Sequence, residues 1–217
     1  NFCIFAPTLP DNPIILFLYL YYNIIFCFMQ QPFIEETGIP GLLIVNPPVF
    51  ADERGYFYES YNKKTFENHG LYYDFVQDNQ ARSRYGVLRG LHYQLQPHAQ
   101  AKLVRVTEGK VLDVVVDLRG GSPTFARWYG VLLSAENRKQ LLIPRGFAHG
   151  YVVLSATAEF MYKCDNYYNK ASETGIAYDD PTLQIDWKVP KDGLIVSEKD
   201  LMLPILTEAR FNFTFSG

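Results

Sequence analysis

The sequence predicts an all-β protein, built as an antiparallel sandwich or barrel with a few short helices. Aromatic residues make up 16% of the 217 residues, with 16 tyrosines and 16 phenylalanines, and such side chains favour half-buried pleated surfaces. Short apolar runs alternate with glycine and proline at brief intervals, which is typical of antiparallel sheets. Strands and helices do not alternate regularly along the chain, which disfavours a parallel Rossmann sheet.

The predicted elements follow in chain order. The first strand covers residues 41–45 and ends before two prolines, which cannot donate ladder hydrogen bonds. Later strands are predicted at residues 56–60, 75–80, 87–94, 102–107, 111–118, 128–134, 140–143, 149–154 and 159–164. The one convincing helix is 63–69, with Gly70 placed as its C-terminal cap. A polar loop is expected after residue 80, and residues 180–200 form a tail whose polar side chains could reach back across a cavity.

Composition excludes several classes of partner. The formal net charge is −3, which gives no electrostatic footprint for nucleic acid. Cys3, Cys27 and Cys164 show neither a CxxC pair nor metal-ligand spacing, and their odd number argues against a disulfide framework. We therefore expect a cytoplasmic protein without a nucleic-acid or membrane partner.

The first 28 residues differ from the rest. Residues 14–28 are almost continuously apolar, but the positive region and cleavage site of a signal peptide are missing. The run is also shorter than the roughly 18 to 20 apolar residues that span a bilayer. We expect residues 1–28 to be an extension outside the fold, which a gene-prediction artefact would explain, and residues 29–217 to form one domain. A membrane anchor is the alternative for the extension.

Period-2 alternation places the first candidate site residues. On a regular strand Lys102 shares a face with Val104 and Val106, which directs its ammonium into a cavity. The alternative is a lysine at a strand end that extends to solvent. Arg89 and His92 have opposite parity, so sharing a cavity requires an irregularity such as a bulge at the glycine between them.

Tyr162 and His149 are ambiguous when considered alone. Tyr162 shares a face with Phe160, as a core or rim aromatic would. His149 shares a face with Tyr151, which equally suits a histidine of the core.

Four longer stretches resemble one known family. They are FADERGYFYESYN at residues 50–62, FVQDN at 75–79, LRGLHYQ at 88–94 and IPRGFAHG at 143–150. In order and spacing they are similar to dTDP-4-dehydrorhamnose 3,5-epimerases, over residues 39–200. The resemblance implies a cupin-type jelly roll, a homodimer, no cofactor, and a dTDP-linked 4-keto-6-deoxy sugar as substrate.

Matched position by position, the resemblance also implies roles for individual residues. It makes His92 the catalytic base, Asp200 its partner carboxylate, Tyr162 the second proton-transfer residue and Lys102 the cation near the sugar ketone. Further substrate contacts are implied at Arg54, Glu59, Gln77, Asn79, Arg89, His149, Glu173 and Lys199.

These residue types suit proton transfer beside a ketone. A base can remove the hydrogen on the neighbouring carbon if another group stabilises the charge on the carbonyl oxygen. The imidazole of His92 suits the base because this side chain changes charge near neutral pH, and Asp200 would fix its tautomer. Lys102 would stabilise the enolate oxygen, and Tyr162 would return a proton from the opposite face of the ring. Arginine guanidinium groups suit a diphosphate because they form bidentate contacts.

A metal-dependent cupin is an alternative that the sequence itself tests. Such cupins resemble one another in a His-x-His pair with a later Glu, and in a Pro-x-Gly-x-x-His motif. The second motif is present from Pro144 to His149, but the second ligand position after His92 holds Gln94. An amide is a poor substitute for imidazole, so we expect no catalytic metal.

Three functions stay open at this point. The first is epimerisation at carbons 3 and 5 of dTDP-4-dehydro-6-deoxy-D-glucose, which gives dTDP-4-dehydro-L-rhamnose. The second is a single-centre epimerase acting on a related nucleotide sugar, and the third is a non-catalytic binding module. His92, Lys102 and Tyr162 together disfavour the module, because binding alone requires no base with an opposing proton donor.

Overall fold

Two antiparallel sheets form the framework of residues 33–216, the part of the chain that this computed structural model describes. The expectations for residues 1–28 and for a domain beginning at residue 29 lie outside the described residues. Between residues 33 and 216 there is no helix long and apolar enough to cross a membrane.

Short strands follow one another along the chain, with two brief helices. The strands are β1 (Ile34–Glu36), β2 (Leu43–Val45), β3 (Phe50–Asp52), β4 (Gly55–Phe57), β5 (Gln77–Arg84), β6 (Val87–Gln94), β7 (Lys102–Glu108), β8 (Lys110–Asp117), β9 (Trp128–Ser134), β10 (Gln140–Ile143), β11 (Phe147–Val153), β12 (Thr157–Cys164), β13 (Glu173–Gly175) and β14 (Ile195–Val196). The helices are α1 (Lys63–Asn68) and α2 (Glu198–Leu201), with a short 3-10 turn at Lys191–Gly193.

These strands form two main sheets and a hairpin. The first sheet has the order β1-β2-β10-β7-β12-β5, and the second has the order β13-β6-β11-β8-β9. Strand β14 pairs in parallel with β6, and β3 pairs with β4 as a separate hairpin. The all-β prediction is confirmed.

An apolar core joins the two sheets. Val104 and Phe160 of the first sheet pack with Tyr151 of the second, and Tyr162 packs against the same cluster. Alternation along β7 and β12 therefore directs Lys102 and Tyr162 to the same side as these core residues. The expected parity of both strands is confirmed.

The outer face of the second sheet is also buried. Ile176, Trp187 and Phe213, all from the chain after β13, pack in one cluster with Leu88 and Val116. Strand β11 is consequently buried at every position, and β8 at most of them. A strand that is covered on both faces has a continuous apolar sequence instead of an alternating one.

Helix α1 packs on the first sheet. Its Phe66 lies in a cluster with Leu43, and the Asn62 side chain accepts the Thr65 N–H at 3.3 Å as an N-terminal cap. Gly70 follows the helix with a φ of +77°, so the predicted helix and its glycine cap are confirmed.

Some predicted boundaries are wrong. The polar stretch expected to be a loop after residue 80 is itself strand, since β5 continues to Arg84. Strand β5 lies at the edge of its sheet and half of its side chains are exposed, so it lacks the apolar run that marks an interior strand. The strand predicted at 56–60 ends at Phe57. Helix α2 is not among the predicted elements, because four residues are too few to show a helical period.

The irregularity expected near Gly90 is present. Across the β6–β11 ladder His92 pairs with His149 and Arg89 pairs with Tyr151, so β6 has one more residue than β11 over this interval. Gly90 has a φ of +130°, and a Cβ there would lie 2.5 Å from the Cα of Gly150. This bulge brings two residues of opposite parity to one cavity.

Candidate active site

A cavity of about 470 Å³ is lined by residues of both sheets. The second sheet contributes Arg89 and His92, and the first contributes Lys102 and Tyr162. Helix α2 adds Asp200. The four residues expected to be catalytic therefore lie around one cavity.

His92 and Asp200 form a closely bonded pair. The His92 Nε2 lies 2.7 Å from Asp200 Oδ1, and the Asp200 side chain is only 5% exposed. The Gly90 N–H donates to the other carboxylate oxygen at 3.3 Å. Burial acts to raise the pKa of Asp200, but the His92 bond, the His92 charge and the Gly90 bond together outweigh it and lower that pKa. The carboxylate therefore stays ionised and orients the imidazole.

Asp200 reaches His92 because the chain after β13 folds back over β6. The Ser197 hydroxyl accepts the Asp200 N–H at 3.1 Å and caps α2. Strand β14, just before this helix, pairs with the start of β6. The expectation that the polar tail reaches back across a cavity is confirmed.

Lys102 and Tyr162 lie together on the opposite sheet. The Lys102 ammonium lies 5.7 Å from the centroid of the Tyr162 ring. Burial lowers the pKa of Lys102, although Cys164 and Asp113 oppose this change. Burial also raises the pKa of Tyr162 to about 12, so the phenol keeps its proton at neutral pH.

His149 is paired as a buried histidine. Its Nε2 lies 2.9 Å from Asp113 Oδ2, and both side chains are almost completely buried. Burial lowers the pKa of His149 and raises that of Asp113. Both changes favour the neutral form of each group. His149 also lines the cavity, so its core position and its place in the site are compatible.

A second cavity, of about 340 Å³, shares His92, Lys102 and Tyr162 with the first. Its other polar lining residues are Gln77, Asn79, Tyr93, Gln94, Gln100, Tyr168 and Glu173. Amide and hydroxyl groups that both donate and accept hydrogen bonds suit a polar planar ligand.

The two cavities are joined at their rim by an ion pair. Lys199 Nζ lies 2.6 Å from Glu173 Oε2, and the Tyr168 hydroxyl donates to the same oxygen at 2.9 Å. Burial acts to raise the pKa of Glu173, but the bonds from Lys199 and Tyr168 outweigh it and lower that pKa. Lys199 lines the first cavity and Glu173 the second.

Two expected substrate contacts lie elsewhere in this chain. Arg54 is at the tip of the β3–β4 hairpin, 84% exposed and paired with Asp52. Glu59 accepts a bond from Asn62 and lines a separate groove beside α1. Neither lines either cavity, so one copy of the chain does not bring them to the site.

Sequence reasoning did not identify Asp113, Tyr151 or Tyr168. Asp113 had a usable signal, because it is a lone carboxylate within the apolar run VLDVVV, and a carboxylate is seldom buried without a partner. Tyr151 and Tyr168 had none, since tyrosine is frequent in this chain. Among residues 33–216, no three His, Cys, Asp or Glu side chains come together as a metal site would require.

Comparison with known proteins adds independent findings. A profile described as dTDP-4-dehydrorhamnose 3,5-epimerase matches residues 36–208. The chain is 55% identical over 167 residues to the dTDP-4-dehydrorhamnose 3,5-epimerase of Shigella flexneri, covering 76% of this chain and 91% of that one.

Solved structures are similar as well. The dTDP-6-deoxy-D-glucose-3,5-epimerase of Legionella pneumophila, in complex with dTDP-4-keto-L-rhamnose, has 51% identity and a TM-score of 0.78, with 82% of this chain and 94% of that one covered. A 3'-monoepimerase from Streptomyces bikiniensis, in complex with dTDP-quinovose, has 34% identity and a TM-score of 0.74, with 80% and 87% covered. The cupin-type jelly roll expected from the sequence is confirmed.

Proposed function

The chain belongs to the dTDP-4-dehydrorhamnose 3,5-epimerase family, and from this premise we propose that it inverts carbons 3 and 5 of dTDP-4-dehydro-6-deoxy-D-glucose to give dTDP-4-dehydro-L-rhamnose. One observation carries the proposal. His92 and Tyr162 line one cavity from different sheets, with Lys102 on the side of Tyr162. A sugar ring between the sheets would thus have a base on one face and a proton donor on the other.

The first step is proton removal from the carbon beside the ketone. The Asp200 carboxylate orients the His92 imidazole and stabilises the cation that forms when the ring takes the proton. The electron pair of the broken C–H bond moves onto the ketone oxygen, where the Lys102 ammonium stabilises the negative charge.

The second step is proton return from the opposite face. The enolate oxygen re-forms the C=O double bond, and the electron pair of the C=C bond takes the proton of the Tyr162 hydroxyl onto the carbon. The electron pair of the O–H bond stays on the phenolate oxygen. The cycle closes when the His92 imidazolium releases its proton to water and the phenolate takes one back. Repeating the cycle on the other side of the ketone inverts the second centre.

Substrate contacts follow from the two joined cavities. We assign the sugar to the cavity between the sheets, with Arg89 and His149 among its contacts, and the nucleotide to the amide-lined cavity. Gln77, Asn79 and Glu173 would bind the base and ribose there. Lys199 would meet the diphosphate between them, because it lies at the rim where the cavities join.

We further propose a cytoplasmic homodimer. The β3–β4 hairpin exposes Phe50 by 65% and Phe57 by 68%, and exposed apolar patches of this kind mark interaction surfaces. Pairing of two copies through the hairpins would bring Arg54 and Glu59 of one copy to the site of the other. The free, buried thiol of Cys164 suits a reducing compartment.

Deuterium exchange tests this function. The protein is incubated with dTDP-4-dehydro-6-deoxyglucose in heavy water, and deuterium at carbons 3 and 5 is followed by NMR. Exchange with inversion at both carbons is expected. His92→Ala should lower the exchange rate by about a hundredfold or more, because general-base catalysis contributes that much.

Other outcomes select the alternatives. Inversion at one carbon alone would identify a single-centre epimerase, and exchange at neither would identify a binding module. Normal exchange in His92→Ala would show that the base has been assigned wrongly.

A further inference from the structure

Tyr151 is a buried residue of the cavity wall that takes no part in the proposed proton transfers. Its side chain lines the cavity between the sheets and is 5% exposed. Its ring stacks on Phe160, with centroids 4.1 Å apart and planes 14° apart. Among the described residues its hydroxyl is buried without a hydrogen-bond partner. A buried hydroxyl without a partner lowers the stability of the folded protein, so its presence calls for a functional explanation.

The side chains beside the Tyr151 hydroxyl indicate its function. Tyr151 is the direct cross-strand partner of Arg89 in the β6–β11 ladder, so the two side chains share a face. The Arg89 Nε in turn donates to the Ser83 hydroxyl at 3.2 Å. Ser83 belongs to the first sheet and Arg89 to the second, so this bond crosses from one sheet to the other.

We propose that Tyr151 and Ser83 are positioning residues, which hold the Arg89 guanidinium beside Tyr162 while that phenol gives up its proton. The inference rests on the proposed function and adds a task for Arg89 beyond substrate binding. When the Tyr162 O–H bond breaks, the electron pair remains on an oxygen in a largely buried place. An N–H of the Arg89 guanidinium donates to that oxygen and stabilises the phenolate. The Tyr151 hydroxyl accepts a second N–H of the same guanidinium.

The electrostatics of the cavity agree with this arrangement. Burial raises the pKa of Tyr162 to about 12, and Arg89 acts against that rise. Burial likewise raises the pKa of Tyr151, and the charge of Arg89 together with the nearby polar groups of Ser83 and Arg89 opposes that rise. Arg89 thus interacts with both phenols, which lie on different sheets.

Tyr151→Phe isolates the hydroxyl, because the ring can keep its stacking on Phe160. This hydroxyl makes no well-formed hydrogen bond in the free protein, so its removal should change the melting temperature little. In heavy water we expect the rate at which deuterium enters recovered substrate, which reports His92, to stay within about twofold of wild type. Inversions per exchange event, which report Tyr162, should fall about tenfold, the size expected for one hydrogen bond to a charged group.

The ratio of inversion to exchange separates positioning from a structural role, because a partly unfolded sample lowers both rates equally. Ser83→Ala should lower the same ratio by a smaller factor. Tyr129→Phe, at a half-buried core tyrosine outside both cavities, should leave the ratio unchanged. An unchanged ratio in Tyr151→Phe overturns the inference while wild-type inversion still supports the epimerase. Absence of exchange in the wild type overturns both.

Discussion

At the scale of single residues, the proposed mechanism makes catalysis depend on how Asp200 holds His92. Asp200→Asn would keep the shape of the contact, but an amide cannot balance the charge of an imidazolium. We expect the deuterium-exchange rate to fall about a hundredfold or more, with little change in affinity for the nucleotide sugar. Asp179→Asn, at an exposed ion pair with Lys191, is the matched control and should change the rate little. A rate for Asp200→Asn within about threefold of wild type would contradict the assignment.

The same carboxylate gives a prediction for stability against pH. The pKa of Asp200 is lower in the folded protein than its usual value, because its hydrogen bonds and the His92 charge outweigh the effect of burial. The stabilisation is therefore complete above the unfolded pKa of about 3.9 and is lost as the pH falls through the lowered folded pKa. Urea unfolding should show wild type more stable than Asp200→Asn by about 1–3 kcal/mol at pH 5. The difference should begin to shrink as the pH falls below about 3.9 and should approach zero only below the lowered folded pKa, whereas a constant difference would mean that the carboxylate charge is not its source.

Residue identities in the site were predictable to the extent that they follow period-2 alternation or belong to a recognisable motif. Lys102 and Tyr162 share a face with core residues, and the sequence shows this directly. The contact between Asp200 and His92 joins residues 108 positions apart, so no local pattern could establish it and only the family resemblance pointed to it. The Arg89 and Ser83 contact was not predictable, because Ser83 lies in the stretch expected to be a loop.

At the scale of secondary-structure elements, strand β6 depends on its bulge. A Cβ on Gly90 would meet the Gly150 Cα at 2.5 Å and the His149 carbonyl oxygen at 2.9 Å, both in the neighbouring strand. Gly90→Ala should destabilise the protein by more than about 2 kcal/mol and lower the exchange rate, since His92 and Arg89 would be displaced relative to each other. Gly121→Ala is the matched control, because Gly121 also has a positive φ, of +80°, but a Cβ there would meet no described atom within 4 Å. That change should cost only about 1–2 kcal/mol, and equal losses in the two variants would show that the close approach at β6 is not decisive.

The elements predicted best are those rich in strand-forming residues. Strands β6, β9 and β10 match their predicted limits to the residue, because aliphatic and aromatic residues are concentrated in each and a Gly, Pro or polar residue lies beside it. The prediction for strand β5 is too short because this strand lies at an edge and its sequence is polar. Helix α2 has only four residues and is stabilised by tertiary contacts, so intrinsic helix propensity could not predict it.

At the scale of the whole molecule, the described residues leave an apolar hairpin and a charged tip without contact to the cavities. Phe57 is 68% exposed, and Arg54 at the same hairpin is 84% exposed. We expect sedimentation to give twice the chain mass of 25.0 kDa for wild type and a shift towards the single chain for Phe57→Asp. Tyr72→Asp, at a residue 76% exposed outside the hairpin, should leave the mass unchanged, and a monomeric wild type would end the proposal of a dimer.

Shared sites make a sharper prediction than mass alone. If Arg54 of one copy serves the cavity of the other, Arg54→Ala and His92→Ala chains should complement each other after unfolding and refolding together. In a mixed dimer, the cavity with an intact His92 receives Arg54 from its His92→Ala neighbour, while the other cavity lacks both groups. Random pairing makes about half of the dimers mixed with one complete site each, so about a quarter of the wild-type activity should return. Each variant refolded alone should stay at its own low activity, and a mixture no more active than the average of the two would place Arg54 outside the neighbouring site.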